Sequence, residues 1–168
     1  MNGDTQSGLH GLVAFRLAGQ GFALPVEAVA EVVPIAQLGR PPQMPAAVEG
    51  VLNLGGRAVP VLRLDRLLGV AEGRYGLNAS ILIMRGARPV GLLVEHVDGV
   101  VTAGELQVLP VAEGDSFNGC VVAELADAAG LRHLLSWDRL LLEEERRRLG
   151  EFARRAEERL ADSWGAAP

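Results

Sequence analysis

The feature that most constrains this chain is a succession of short apolar runs, each closed by Gly, Pro or Asp. "LVAFRL", "FALP", "VEGVLNL", "RAVPVLRL", "SILIM", "VGLLV", "CVVAEL" and "LRHLL" follow one another with turn-forming residues between them. Runs of this length, rich in Val, Leu and Ile, read as β-strands. No helical pattern alternates with them, so a parallel sheet built from βαβ units is excluded. Many short strands with Gly, Pro and Asp turns point to small barrels or a sandwich. No run approaches the ~20 apolar residues that a membrane-spanning helix needs.

The punctuation sharpens this reading. Val13, Phe15 and Leu17 share one side of a half-buried strand, "AGQG" turns the chain, and "FAL" begins the return. Pro25 suits the start of a short helical turn before residues 30–35 become extended. "GRPPQMP" is too rich in proline for regular structure and is a loop. In "NLGGRAVPVL", Gly55 and Gly56 supply the positive φ of a two-residue hairpin link. Pro60 has no N–H, which predicts that the second hairpin strand is an edge or is bulged. "DRLLGV" ends that strand as a helical turn. Further turns are expected at Gly86-Ala87 and near Asp98-Gly99. A short strand is expected over 106–109, and a last hairpin around 127–130.

Residues 138–163 change character. Leu142, Leu149, Phe152, Ala153, Ala156 and Leu160 fall on one stripe of an amphipathic helix. Glu143 with Arg147, Glu144 with Arg148, and Glu151 with Arg155 have i,i+4 spacing, and Gly150 weakens the middle. The stripe suits docking on the helix's own domain, or pairing with a partner or second copy. Residues 1–10, polar and Gly-rich, are expected to form a flexible tail.

Little here suits catalysis. Cys120, the single cysteine, lies in an apolar run and is expected to be a small buried hydrophobe. His10, His96 and His133 lack metal-ligand spacing, and alternation sends Glu95 and His96 to opposite faces. The Gly-rich stretch lacks a phosphate-loop pattern, and no nucleophile elbow occurs. No catalytic residue, metal or cofactor is therefore expected. A net charge of -5 without a basic patch argues against nucleic acid and anionic membranes as main partners. The beginning of the chain shows no signal-peptide pattern, so a cytoplasmic location is expected.

Three segments carry a resemblance. "PAAVEGVLNLGGRAVPVLRLDRLLG" resembles the P-x-x-x-x-G-V-x-N-L-R-G-x-x-V-P-V-x-x-L pattern of the CheW-like family, the adaptors of bacterial chemosensory arrays. "PVGLLVEHVDGVV" is similar to its V-G-x-x-V-D-x-V-x-x-V segment, and "FALPVEAVAEVV" to its F/Y-x-I-P-V-x-x-V-x-E-V opening. The resemblance implies an all-β core of two intertwined SH3-like β-barrel lobes over residues 11–142, with a groove between the lobes, plus the C-terminal helix. It implies a non-catalytic scaffold that binds the cytoplasmic tip of chemoreceptors and the regulatory domain of a CheA-type histidine kinase, recruited by receptors to the inner face of the membrane.

By position, the protein-binding residues implied are Val29 and Glu31 in the opening, Gly50, Asn53, Gly55 and Arg57 at the hairpin, and Val97, Val100 and Val101 in the later segment. Gly55 stands where the family pattern has arginine, a residue linked to coupling receptors to the kinase, which implies a specialised variant. Arg57 lies two residues further on. The C-terminal helix extends past that of a minimal adaptor and is a candidate for self-association. The rival reading is a sensor module whose inter-barrel groove holds a small ligand.

Overall fold

A computed structural model describes residues 11–111 and 119–165. The expected N-terminal tail lies outside the described residues. Eleven strands form two sheets. β1 (Gly11–Leu17) and β2 (Gln20–Pro25) make a hairpin. A 3-10 turn at Val26–Ala28 then leads to β3 (Val29–Pro34). β4 (Val48–Leu54) and β5 (Arg57–Arg63) follow, then helix α1 (Leu64–Leu68), β6 (Ser80–Met84) and β7 (Val90–Val94). β8 (His96–Thr102), β9 (Gln107–Leu109), β10 (Val121–Asp127) and β11 (Gly130–Leu135) precede α2 (Trp137–Leu140) and α3 (Glu143–Gly165).

The first lobe has the order β3-β6-β7-β5-β4, the second β8-β1-β2-β11-β10-β9. The two lobes repeat one plan. In each, a central hairpin (β6–β7 or β1–β2) pairs antiparallel with a strand on one side, β3 or β8. On the other side it pairs parallel with the second strand of another hairpin, β4–β5 or β10–β11. Each of these outer hairpins leads into a short helix at a D-R-L-L sequence, residues 65–68 within α1 and residues 138–141 over the end of α2 and the residue that follows it. The second lobe borrows its central hairpin from the start of the chain, and this exchange intertwines the lobes. In the first lobe, the chain leaving β3 sets Gly39 against Val51 of β4 through two 2.8 Å hydrogen bonds. The two ends of the sheet therefore meet and the sheet curls into a barrel.

Alternation along the strands feeds three cores. Val59, Val61, Ile81, Ile83 and Leu93 fill the first barrel, and Leu12, Ala23, Leu125 and Leu134 fill the second. The opposite faces of the same strands supply Phe15, Phe22, Leu62, Leu82, Leu92 and Leu135 to a larger cluster between the lobes. β1 is consequently buried on both faces, not half-buried as its alternation suggested: Leu12 is covered as fully as Val13 and Phe15. Strands enclosed on two sides read as nearly continuous apolar runs, which is what the sequence contains.

Three local expectations need correction. Pro60 is not on an edge strand, since β5 runs between β4 and β7. It is tolerated because Val51, opposite it, bonds to Gly39 instead, and pairing with β7 starts only at Val61. Asp98-Gly99 is not a turn. β8 continues through it with a bulge, Val97 facing Phe15 and Gly99 facing Ala14, so that Asp98 is the additional residue. The C-terminal helix does not run unbroken from 138. Leu141 is extended between α2 and α3, and Leu142 is 70% exposed, off the expected stripe. The Leu142 amide donates to Glu145 Oε1, half of a capping box at the start of α3.

Leu149 and Ala153 of α3 are buried, with Phe152 packed beside them. Arg154 pairs with Glu158 at i,i+4, whereas among the described residues Glu151 and Arg155 do not pair with each other. The expected pairs of Glu143 with Arg147 and Glu144 with Arg148 involve the Glu143 and Glu144 side chains, which lie outside the described ones. A methyl on Gly150 would meet only Arg88 Cδ, at an ordinary 3.9 Å. Gly150→Ala is therefore expected to raise stability by ~0.5–1 kcal/mol, seen as a melting temperature about 2–4 °C higher by calorimetry.

Candidate functional site

The hairpin β4–β5 projects from the first lobe. Gly55 and Gly56 have φ of 60° and 88°, so both occupy the left-handed region that glycine enters at no steric cost. Asn53 Oδ1 accepts a hydrogen bond from the Gly56 amide at 2.9 Å, so its side chain holds the turn. Arg57 is exposed. It borders a crevice with Arg88, Pro89, Ala153 and Glu157, facing α3 across it. Gly50 is buried, and a Cβ there would lie 2.7 Å from Leu38 Cβ, so this glycine is required for chain packing. Val29 is buried in the core between the lobes and presents no contact surface, while Glu31 is exposed on β3. Strand alternation would put Val29 and Glu31, two residues apart, on one face; a register shift between them, where Val29 pairs with Met84 and Glu31 with Ile83, puts them on opposite faces.

The other candidate residues lie on β8, at one side of the second sheet. Val97 packs on the inter-lobe core and Val101 on that of the second barrel. Val100 is 69% exposed. A methyl placed on Gly11 would be 3.5 Å from Val100 Cγ1 and 3.9 Å from Val26 Cγ2, so the two valines flank bare backbone. Val26 was missed from sequence. Its place in the 3-10 turn beside β1 is a tertiary juxtaposition, and the only hint was its position after Pro25. Asp98, the bulge residue, receives a hydrogen bond from Arg132 Nη1 at 2.8 Å and lies 3.5 Å from both Arg16 Nε and His96 Nε2. This cluster joins β8, β1 and β11 and fixes the edge that displays Val100. Asp127 also accepts from Arg132, which holds its carboxyl below the ordinary range.

A second buried charge network supports the first lobe. Arg63 donates from Nε and Nη2 to the two carboxylate oxygens of Asp65, at 2.9 and 2.6 Å. Asp65 also accepts from the Arg66 and Gly73 amides. The Arg63 guanidinium lies 4.7 Å from the centroid of Tyr75. Burial alone would push Asp65 up, but Arg63 and the two amides outweigh it and hold its carboxyl down to about 2. The Tyr75 hydroxyl is buried, and its pKa is pushed up by burial and then by the Asp65 carboxylate. The network fastens the loop after α1 onto β5.

The described residues hold no group of His, Cys, Asp and Glu that could bind a metal ion. Cys120 is buried, its Sγ 3.3 Å from the Arg139 carbonyl, and burial pushes the thiol up, away from a reactive thiolate. Glu95 and His96 diverge: Glu95 Oε1 accepts from the Ala18 amide in the β1–β2 turn. No helix among the described residues is long and apolar enough to cross a membrane.

A family model described as the CheW-like domain matches residues 11–132. The chain belongs to the CheW-like family. It is 30% identical over 103 residues to a chemotaxis protein CheW of Rhizobium meliloti, covering 61% of this chain and 66% of that protein. It is 29% identical over 106 residues to one of Thermotoga maritima, covering 63% of this chain and 70% of that one. The matched stretch thus spans about two thirds of the length of these relatives. Among solved structures, the scaffolding protein TtCheW of Thermoanaerobacter tengcongensis superposes with a TM-score of 0.68 at 22% identity, covering 80% of this chain and 88% of that one. The two-lobed SH3-like architecture is therefore that of the family. Helix α3 lies beyond the matched residues.

Because Asp65 is paired when ionised, its contribution is present above the ordinary value of 3.8 and is lost as pH falls towards about 2. Asp65→Asn is expected to lower stability at pH 7 by ~2–3 kcal/mol. The deficit against the native chain should narrow below pH ~4 in denaturant melts repeated across pH.

Proposed function

We propose that this CheW-like chain is a non-catalytic chemotaxis adaptor, in the cytoplasm, that couples chemoreceptor tips to a CheA-type histidine kinase at the inner face of the membrane. The observation that carries the reading is the family match over both lobes, with relatives named as chemotaxis proteins. The geometry supports it in two places. The β8 edge shows Val100 and Val26 around bare backbone, an apolar patch on a strand margin that suits a helical or strand-like partner. The β4–β5 hairpin offers Asn53, Gly55 and Arg57 on a separate projection. Receptor tip and kinase regulatory domain are thereby given different surfaces, as an adaptor requires. α3 is docked along β5 through Leu149 and Ala153, and its remaining, charged face is a candidate for self-association.

Gly55 marks the chain as a specialised adaptor. A Cβ at position 55 would meet nothing within 4 Å, so arginine fits sterically and strains only the left-handed backbone. Gly55→Arg is expected to fold at a cost of about 1 kcal/mol. In titration calorimetry against the regulatory domain of a CheA-type kinase from the same organism, it is expected to bind more tightly than the native chain. Equal affinity would assign the coupling to Arg57 or to another surface, and absence of binding by both forms would overturn the kinase half of the reading.

For the receptor half, Val100→Arg is expected to weaken binding to a receptor-tip fragment by about tenfold or more, since the guanidinium would be desolvated against an apolar contact without a counter-charge. The melting temperature should be unchanged, because Val100 is exposed. Unaltered binding would remove β8 from the receptor surface.

A further inference from the structure

A cavity of about 480 Å³ opens between the first lobe and the C-terminal helices, where α3 crosses the β6–β7 turn. Pro60, Val90, Trp137, Leu141, Leu149 and Ala153 give it an apolar lining. Arg85, Arg88 and Arg146 also line it, against one carboxylate, Asp138. Among the described residues, the hydrogen bonds of these guanidiniums go to main-chain carbonyls, and that of Arg146 also lies 5.8 Å from the centroid of the Trp137 ring. Arg85 donates to the Glu27 and Val29 oxygens, Arg88 to that of Gly150, and Arg146 to those of Leu141, Trp137 and Asp138.

Among the described residues, none of the three has a carboxylate within ion-pair distance, although the chain carries a net charge of -5. Arg16, Arg40, Arg63, Arg132 and Arg154 are so paired; Arg57, Arg66 and Arg139 are not, but only Arg85, Arg88 and Arg146 are gathered on this apolar cavity. A guanidinium has five N–H donors, and carbonyl contacts use at most three on each of these arginines. The unused donors and uncompensated charge border an apolar, partly enclosed volume of the size that takes a small ligand.

We propose that this cavity is a binding site for a small anionic ligand with an apolar or aromatic body, a carboxylate or phosphate held by Arg85, Arg88 and Arg146 while its body rests on Trp137 and Leu149. Charge complementarity selects an anion, because three exposed guanidiniums and a single carboxylate, Asp138, ring the apolar lining, so an anionic group seated there meets donors of opposite charge. Charge-assisted bidentate contacts to arginine suit planar carboxylates and phosphates. The site is built partly from α3, outside the residues that match the family domain. Occupancy would tie α3 to the β6–β7 turn. The inference does not rest on receptor or kinase binding.

The test uses the full chain and two fluorescent probes of similar aromatic body. 1-Anilinonaphthalene-8-sulfonate is anionic and N-phenyl-1-naphthylamine is neutral. The anionic probe is expected to bind saturably at one site, about tenfold or more tighter than the neutral one, and to weaken as salt is raised. Arg85→Gln with Arg88→Gln should weaken the anionic probe about tenfold and leave the neutral probe unchanged, while Arg155→Gln on the exposed face of α3 should change neither. Displacement of the anionic probe by decanoate would identify an acyl carboxylate as the better class, and displacement by AMP a nucleotide phosphate. Equal affinity for the two probes, non-saturable binding, or an anionic affinity unaltered by the Arg85 and Arg88 changes would overturn the proposal. Because the neutral probe reports the intact cavity, loss of both probes together in the variant, with a lowered melting temperature, would also count against an arginine-held anion.

Discussion

The inter-lobe core is the contact on which everything else depends. Phe15, Phe22, Leu62, Leu82 and Leu92 are each less than 1% exposed, and they come from the same strands whose alternate residues fill the two barrels. One set of strands thus closes three interiors. At ~25 cal/mol for each Å² of apolar surface removed from water, a barrel of this size with a solvated outer face would bury too little to be secure alone. Sharing the outer faces removes that deficit. It also fixes the relative placement of β8 and the β4–β5 hairpin, so that the surfaces proposed for two partners are held by packing instead of by a hinge.

The duplicated plan explains how a chain of modest length can present the two surfaces proposed above. Each lobe ends its outer hairpin in a short helix at a D-R-L-L sequence, yet the two copies have diverged. In α1 the Asp65 carboxylate is drawn inside to pair with Arg63, whereas Asp138 of α2 is exposed and Leu140 and Leu141 are buried. Burying Leu141 as well as Leu140 accompanies the extended step that separates α2 from α3. That step directs α3 back along β5, where it covers one flank of the first lobe and walls the arginine-lined cavity. The equivalent flank of the second lobe, around Gln20, Gly21, Leu131 and Arg132, remains open and polar.

Buried charge is handled differently in the two lobes, with one physical rule behind both. A charge removed from water must find a partner of opposite sign and good geometry. Asp65 has a bidentate partner and two amides. Arg132, 6% exposed, is held between Asp98 and Asp127 on neighbouring segments. His133 and Glu124 pair at 2.8 Å behind it, leaving Glu124 Oε2 buried and without a partner among the described residues. None of these pairs has a sequence signature except Arg63 with Asp65, which sit two apart. The others are brought together by strand registers, and Asp98 only by a bulge.

Element type and order were legible in the sequence. The apolar runs became strands, the glycine pair at 55 and 56 became a hairpin, the proline cluster became a loop, and the family motifs named the architecture, because each rests on local backbone preference or on a short pattern. The repeat of D-R-L-L was present in the letters as well and would have announced the duplication. What the sequence could not decide was which face of a strand meets which core. Alternation supplies two faces but not their surroundings, so Val29 reads as a contact and is core, Pro60 reads as an edge or a bulge and is interior beside the register shift between Val48 and Gly50, and Asp98-Gly99 reads as a turn and is a bulge. Long-range pairing decided these, since the energy that selects an inner face comes from residues far along the chain. The same is true of Arg85, Arg88 and Arg146: their positions in the sequence are unremarkable, and only the path of α3 sets them around one cavity.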